Sequence, residues 1–451
     1  LTTNLNFTID DGNVFQKSIL SFKDNRPHRF EGNFYFDKFN LNQWENKLGV
    51  SDADLYISAN SLLSDSIDLK YNLIINKLLI GKTPLNKLSI EGNYKFKTFT
   101  SDIKIDDHLI SAKSAISFSW LDYQKKYQLD LNLNHLNLHL FNNKLGYGKA
   151  IFSGDLTIFL VGKSFDEIQG NILFKNLNFE NINETFSFND FIIETKLSDG
   201  FRSLKTINSD LINFDLEGKF LLSQFPYLLE NAVAEVYSFI PKKKVNPGQS
   251  ISYNLNFPSG NLNAIFPDLS IYDSALFRGV FSADDKVSKL AIKIPKIIYK
   301  GIKFQDIDFQ LDNQNPFFNT YISVGSVISK DFEFNDFNTI SKDSNEGVFF
   351  RTEFKGGANG DDKFELNYIY SLENMESVFE FKKSIASING NQWLINPMGK
   401  SNHLFSFDRQ SGRFDLNEFE VVSKNEKILF SMNYLNPSDF NFRLIADKVL
   451  L

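Results

Sequence analysis

The sequence contains no cysteine, and this absence excludes disulfides, thiolate metal sites and cysteine nucleophiles. It has no run of 18 consecutive apolar residues, so no transmembrane helix is predicted. It also lacks the excess of basic residues that a nucleic-acid-binding protein needs, because the formal net charge is -7 and the pI is about 5.5. A disordered chain would lack the aromatic residues that make up 15% of these 451 positions.

What the chain does contain is apolar residues at every second position. Successive side chains of a strand point to opposite faces, so each such run predicts a strand with one apolar and one polar face. The alternation changes phase after Asn134 and His135. Continuous apolar runs are rare, which argues against a parallel α/β sheet. We therefore predict an all-β protein built as a long antiparallel curled sheet with an apolar interior, a β-taco or groove, with one or two short helices.

Two segments have helical spacing. The first is Leu41, Trp44 and Leu48, with Gly49 as a stop, and the second is Phe225 to Ile240, with Pro226 in its first turn and Pro241 after its end. A lysine-rich loop follows the second helix. We therefore divide the chain into a β-groove segment at 1–222, a helix and loop at 223–249, and a second β-groove segment at 250–451. Strand pattern extends to both ends of the sequence, so we expect an internal section of a longer protein.

A long apolar face must be covered by something. At about 12 residues per strand the chain would hold on the order of 35 strands, too many to bury that face in one small closed core. A curled sheet would leave an apolar trough that could hold a lipid acyl chain. The predicted lining residues are Leu129, Leu131, Leu133, Ile251, Tyr253, Leu255, Phe257, Ile302, Phe304, Ile307, Phe309, Leu311, Phe364, Leu366 and Tyr368.

Candidates for catalysis or metal binding are few. His135 and His139 have the i, i+4 spacing of a helical zinc site, but they lie on strand pattern without the glutamate of an HExxH motif, so we interpret them as solvated strand residues. Asp106, Asp107 and His108 are adjacent in sequence, which does not define a triad. The glycine-rich 356–362 segment precedes a strand and predicts a hairpin turn rather than a phosphate loop. We predict no enzymatic activity, no metal and no cofactor.

The first half of the chain contains a weak sequence repeat. A glycine opens a strand at each of four places, and the intervals between them are unequal, which argues against a propeller or a regular solenoid. Similar short strand and turn motifs follow in the second half. The segments concerned are Gln169–Asn171 with Asn176–Phe179 and Phe186–Phe188; Asp215–Phe220 with Phe239–Pro241; Phe266–Leu269 with Phe277–Phe281 and Ile294–Tyr299; and Ile385–Ile388 with Gln392–Pro397 and Phe414–Phe419.

In these segments the chain resembles the TamB family, the translocation and assembly module subunit, in its Bacteroidota form within the AsmA-like group. The likeness covers about residues 165–445. Residues 1–164 share with the family only the general strand pattern and composition. It implies a β-taco with an apolar interior that carries phospholipid between the inner and outer membranes, or assists outer-membrane protein assembly, and it implies no catalytic residues. It also implies a periplasmic location, an inner-membrane anchor, and contact with a BamA-like outer-membrane barrel such as TamA, both through parts outside this section.

Our leading hypothesis is a scaffold whose hydrophobic groove binds phospholipid acyl chains, with no nucleic acid as partner. A transmembrane outer-membrane barrel would alternate as well, but its aromatic residues would gather at the ends of spans of fixed phase. Here Tyr253 and Tyr368 fall in mid-strand. A carbohydrate-binding or polysaccharide-cleaving solenoid would need clustered carboxylates on a strand face or a calcium motif. An extracellular adhesin is the remaining alternative.

Overall fold

The computed structural model describes the chain except for residues 10–11, 41–47, 61, 63–66, 81–82, 122, 139–149, 182–183, 238, 259, 261, 263–265, 267, 345, 358–359, 374–375, 401–403, 409, 437–438 and 450–451. The 31 strands among the described residues form antiparallel sheet, which confirms the all-β prediction. The chain divides into two compact units, 1–213 and 214–451, and each is described by itself.

Unit 1 is a meander in which strands that follow one another in the chain pair with each other. The alternation of apolar and polar residues explains this, because each strand of such a pattern needs neighbours that extend the same apolar face. Its strands are β1 (Thr2–Ile9), β2 (Gly12–Lys23), β3 (Arg26–Asn40), β4 (Leu48–Asn60), β5 (Asp68–Ile80), β6 (Thr83–Lys95), β7 (Thr98–Asp106), β8 (Ile110–Ser119), β9 (Lys125–Asn137), β10 (Ile151–Gly162), β11 (Gln169–Glu180), β12 (Thr185–Ser187), β13 (Phe191–Ser198) and β14 (Phe201–Ile207).

The order of pairing runs from β1 to β11 without interruption, and β11 then pairs with both β12 and β13. The first predicted helix falls mainly on residues 41–47, which lie outside the described residues. Its last two positions, Leu48 and Gly49, begin β4 instead. β15 (Asn213–Lys219) begins with the last residue of unit 1.

Unit 2 contains the one α-helix of the described residues and sixteen further strands. They are α1 (Phe225–Ala234), β16 (Ser250–Phe257), β17 (Leu269–Tyr272), β18 (Ala275–Ser282), β19 (Val287–Tyr299), β20 (Ile302–Asp312), β21 (Thr320–Ile328), β22 (Glu333–Ser344), β23 (Gly347–Gly356), β24 (Asp362–Glu373), β25 (Glu376–Phe381), β26 (Ser384–Ile388), β27 (Asn391–Ile395), β28 (Leu404–Asp408), β29 (Phe414–Ser423), β30 (Glu426–Asn436) and β31 (Asp439–Asp447).

The sheet of unit 2 forks and rejoins. β18 to β24 pair in chain order, and β24 then pairs with β25 over one half and with β26 over the other. β25 continues through β28 and β26 through β27, and both branches meet again at β29. β23 and β24 join through the glycine-rich segment, where Gly356 pairs with Asp362, so the predicted hairpin turn is confirmed.

Helix α1 begins where the sequence predicts it but ends at Ala234 rather than Ile240. Beyond the helix, Tyr237 donates or accepts a 2.6 Å hydrogen bond with Thr320, and the Phe239 ring packs edge-on against Tyr370 at 5.3 Å. These tertiary contacts hold the chain on the sheet and out of the helical path. No helix among the described residues is long and apolar enough to cross a membrane.

Candidate functional site

One row of residues runs across ten strands of unit 1 on the same side of the sheet. Residues directly opposite each other in an antiparallel pair share a face, so the register defines the row strand by strand. Nine of its ten members are apolar. In order they are Phe34, Leu55, Leu73, Ile90, Ile103, Ser114, Leu131, Leu156, Phe174 and Phe191. We call the side of the sheet that carries this row the apolar face of unit 1. At about 4.8 Å per strand the row is about 40 Å long.

The predicted residues of β9 lie on this face. Leu131 belongs to the row itself, and Leu129 and Leu133 lie two positions away on either side. Leu129 pairs with Ile116 and Ile158 and so extends a second apolar row. Three leucines on one strand thus widen the face into a band.

A β-bulge keeps this face apolar where the alternation changes phase. Ser111 pairs with His135 and Ala112 with Leu133, so Asn134 is the extra residue of β9. The extra residue turns the following positions over, and Leu136 thereby joins the side that carries Leu133. The phase change noted in the sequence is therefore a bulge that preserves the apolar face.

The apolar face of unit 1 is open. Every member of the row from Phe34 to Phe174 remains partly accessible to water, and Phe191 alone is buried, at 7% exposure. In a packed interior, large apolar side chains at the centre of a sheet are fully buried. Small residues such as Ala53, Ala59 and Ala112 are buried in the floor of this face. The large side chains therefore line a surface and do not fill a core.

Unit 2 has a corresponding row across eight strands. The members are Leu255, Phe277, Ile292, Phe309, Ile322, Thr339, Thr352 and Leu366. Leu255, Phe309 and Leu366, three of the predicted lining residues, thus share one row of the apolar face of unit 2. All members but the two threonines are half-buried. The threonines are buried and hydrogen-bonded to each other at 2.8 Å, which satisfies their hydroxyl groups.

Most of the other predicted residues extend this face. Tyr253, Leu311 and Tyr368 lie in the neighbouring row, and Ile251 and Phe257 lie at either end of β16 on the same side. Ile307 pairs with Ile294, two positions from Phe309. Phe364 stacks on Phe354 with ring centroids 4.6 Å apart.

Ile302 and Phe304 belong to a different phase of β20. Asp306, with a φ of 53°, stands between them and the Ile307–Leu311 run. Phe304 pairs with Ile297 on one side and Val327 on the other, in an apolar row of its own. The structure therefore separates these two residues from the Leu255 row by a local backbone change.

Helix α1 and the residues after it cover one strip of the apolar face of unit 2. The carbonyl of Ala232 accepts a 2.6 Å hydrogen bond from Ser288, and Leu228 and Val236 are 0% and 2% exposed. Beneath this cover Ile251, Phe281 and Val348 are also at most 2% exposed. The Leu255 row is not covered in this way. Unit 2 therefore has a closed strip next to an open one.

The pKa values of two tyrosines reflect how apolar this face is. Burial raises the pKa of Tyr253 to about 12, because the phenolate would lose hydration. Burial also raises the pKa of Tyr368, and a 3.4 Å hydrogen bond with Thr352 opposes that effect. Tyr253 lies over Gly279, where an added Cβ would come within 2.2 Å of its ring. The glycine leaves room for the ring to lie flat on the sheet.

Charged residues occupy the opposite side of the sheet. In unit 1, Glu91 and Asp102 pair across β6 and β7, and Lys104 and Lys113 pair across β7 and β8. All four are exposed. The two like-charged pairs lie next to each other, so each carboxylate has a lysine diagonally across the sheet. This face is solvated, as the alternating signs in the sequence indicate.

No cluster of metal-binding side chains is found among the described residues. No group of three or more His, Asp or Glu there could hold a metal ion. His135 lies in β9 with Nε2 3.1 Å from the carbonyl oxygen of Asp107, and His139 lies outside the described residues. Asp107 accepts hydrogen bonds from Asn86 and Leu109 and serves the turn that contains it.

The sequence reasoning missed most members of both rows. Phe34, Leu73 and Phe174 in unit 1, and Ile292 and Ile322 in unit 2, face the same way as the predicted residues. The alternation within each strand was a usable signal for them. What the sequence does not contain is the register that aligns one strand with the next.

No protein-family model matches the chain, and no curated protein is significantly similar to it.

Proposed function

We propose that the two apolar faces bind the acyl chains of phospholipids and that the chain is a scaffold along which lipid moves. In this proposal the protein belongs to a TamB-like bridge in the periplasm, anchored at the inner membrane and in contact with a BamA-like barrel through parts outside this chain. It carries phospholipid between the inner and outer membranes or assists outer-membrane protein assembly. No catalytic step is part of the proposal.

The observation that carries the proposal is the open row of unit 1. Nine of its ten side chains are apolar, and all of these except Phe191 remain half-buried, although exposed apolar surface of this extent is costly in water. A row of about 40 Å exceeds the hydrocarbon thickness of one membrane leaflet, about 15 Å. More than one acyl chain therefore fits along it.

The energetics favour binding that still permits movement. Each buried methylene contributes about 0.8 kcal/mol, so the burial of half a dozen contributes about 5 kcal/mol. Successive strands present nearly equivalent positions, such as Leu73, Ile90 and Ile103. A chain that slides by one strand loses and gains similar contacts, so the barrier to sliding stays below the energy of release.

The direct test is to purify the protein without detergent and extract it for lipid analysis, alongside native mass spectrometry. We expect co-purified phospholipid, and we expect added phospholipid to exchange with it. Protein that carries no lipid and takes up none from vesicles would overturn the proposal.

A matched pair of variants on β10 sharpens the test. Leu156 lies in the row, and its neighbour Thr157 is exposed on the opposite face. We expect Leu156→Asp to weaken binding of a fluorescent fatty acid about tenfold, because the carboxylate stays hydrated and breaks the row. Thr157→Asp makes the same chemical change on the polar face and should leave binding unchanged. Equal binding by the two variants would contradict the assignment of the row.

A further inference from the structure

Exposed aromatic rings form a stripe on the polar face of unit 1. Phe15 on β2, Tyr35 on β3 and Tyr56 on β4 are 42%, 41% and 40% exposed. They lie on the face opposite the lipid row, because Tyr35 follows Phe34 in the strand. Phe15 and Tyr35 pair across the strands with ring centroids 6.0 Å apart. Ile74 on β5 continues the stripe diagonally.

Polar side chains alternate with these rings. Tyr56 has Asn33 on one neighbouring strand and Asn72 on the other. Tyr35 has Asp54 directly opposite on β4, and Asp54 accepts a 3.3 Å hydrogen bond from Asn76. The aromatic rings, Asn33, Asn72, Asp54 and Lys17 line a concavity of ≈ 590 Å³, within the range of small-ligand sites. The stripe is therefore a recess that combines flat rings with amide and carboxylate groups.

The chemistry of this recess selects among ligands. An acyl chain would strip water from Asn33, Asn72 and Asp54 without replacing their hydrogen bonds. A nucleic acid needs a basic groove, and the lining of this recess contains one lysine, Lys17, and one aspartate, Asp54. A folded protein partner of ordinary affinity covers about 800 Å² of each surface, more than this recess offers. A neutral sugar chain fits both components of the recess.

We propose that the recess on the polar face of β2 to β5 binds a neutral oligosaccharide. A pyranose ring presents C–H bonds on its faces, and the negatively charged face of an aromatic ring attracts them. Phe15 and Tyr35 lie directly opposite each other, and Tyr56 lies diagonally from Tyr35 on the next strand. The three rings therefore form a slanted platform on which more than one sugar ring can stack. The hydroxyl groups at the rim of each sugar pair with Asn33 and Asn72, which both donate and accept.

The rings and polar side chains of this site lie opposite the side chains of the lipid row, and the strand positions of two row members, Phe34 and Leu55, border both. The site and the row lie on opposite faces of the same strands, so one strand serves both through alternate residues, as Phe34 and Tyr35 illustrate. Such a site would hold the protein to a glycan while lipid moves on the other face. The protein would then bind two classes of ligand, an oligosaccharide on one face and phospholipid on the other.

The test is isothermal titration of the whole chain with three unbranched neutral sugars: cellohexaose, chitohexaose and maltohexaose. We expect the wild-type protein to bind at least one. Tyr35→Ala should weaken that binding about tenfold, because it removes the central ring, and Tyr35→Phe should retain it. Phe159→Ala is the matched control, since Phe159 is 45% exposed on the polar face of β10, away from the recess. Circular dichroism verifies that each variant is folded.

Two results would overturn this inference. One is the absence of binding of all three sugars by the wild-type protein. The other is equal affinity in Tyr35→Ala and wild type. If Tyr35→Ala instead loses the fluorescent fatty acid and no sugar binds, the stripe belongs to the lipid site and the sugar proposal fails. Retained lipid in Tyr35→Ala, with sugar binding lost, supports both proposals separately.

Discussion

Arg202 is a buried cation without a carboxylate partner at its guanidinium. The residue is 0% exposed, and Nη1 donates to the carbonyl of Ile168 at 2.8 Å and to the hydroxyl of Thr195 at 2.7 Å. Nη2 donates to the carbonyl of Asp166 at 2.6 Å. Burial lowers the pKa of Arg202, and the charge of Asp166 opposes this. The side chain thus ties β14 to the turn between β10 and β11.

We expect Arg202→Met to destabilise unit 1 by about 3 kcal/mol, because three acceptors lose a charged donor in a buried place. Urea unfolding followed by circular dichroism measures the change. Arg29→Met is the control in the same unit, since the Arg29 side chain is 52% exposed and its ion pair with Glu31 contributes little. Identical unfolding curves for the two variants would show that Arg202 has no such role.

We predict that Asp107 makes the folded state of unit 1 sensitive to acid. Its side chain is 2% exposed, and burial alone would raise its pKa. Hydrogen bonds from Leu109 and Asn86, at 2.9 and 3.0 Å, together with the charge of His108, outweigh burial and hold the pKa below its ordinary value. The folded state therefore binds fewer protons than the unfolded state in this range. The stabilisation is complete above about pH 4 and is lost as the pH falls through the lowered pKa.

Asp107→Asn removes this titration. We expect the variant to be less stable than wild type at neutral pH and to lose less stability as the pH falls below about 4. Urea midpoints at a series of pH values give the comparison. A variant whose midpoints fall as steeply with acid as those of the wild type would assign the sensitivity to other groups.

At the scale of elements, helix α1 offers two adjacent leucines with opposite environments. Leu228 is 0% exposed against the sheet of unit 2, and Leu229 is 40% exposed. Leu228→Ala should destabilise the unit by about 3 kcal/mol, because it leaves a cavity. Leu229→Ala should change stability by less than about 0.5 kcal/mol. Thermal unfolding of both variants gives the comparison, and similar losses would mean that the helix does not dock through Leu228.

The glycines of the weak repeat also act at the scale of elements. A Cβ on Gly92 would lie 2.1 Å from the carbonyl oxygen of Thr100 and 2.5 Å from the Tyr71 hydroxyl oxygen. A Cβ on Gly170, whose φ is 138°, would lie 2.0 Å from the carbonyl oxygen of Phe159. Close approach of neighbouring strands explains why these positions repeat. Their spacing is irregular because it follows loop lengths.

The sequence predicts elements better than it predicts their neighbours. Alternation is local, so the strands of Leu129–Leu133 and Ile251–Phe257 could be placed, as could the change of phase at Asn134, although not the bulge that causes it. The fork at β24 could not be predicted, because it depends on which distant segments complete the two halves of one strand. Arg202 carries no local signal, since its role appears only when β13 and β14 are in register.

The aromatic recess is only weakly indicated by the sequence. Phe15, Tyr35 and Tyr56 stand in the polar phase of their strands, so each interrupts the alternation by being apolar where a polar residue is expected. A single such exception is ordinary on a protein surface. Three of them become a site only when the register brings them onto neighbouring strands.

At the scale of the whole molecule, the lipid proposal predicts a pattern of contact that no single variant can test. A photoreactive amino acid placed on the apolar side of either unit should cross-link phospholipid, because acyl chains occupy any part of the open rows. The same group one residue away faces water. Three neighbouring pairs give this comparison in both units: Leu131 with Asp130, Leu255 with Asn254, and Leu366 with Glu365.

We expect lipid adducts at all three leucine positions and at none of their neighbours, detected by mass spectrometry after irradiation in cells. Each pair differs only in the face it presents, so expression, folding and distance along the chain are matched. Adducts at Leu131 alone would restrict the lipid path to unit 1. Adducts at equal levels on both faces would mean that lipid coats the protein without a defined path. The proposal that the open rows bind lipid would then be wrong.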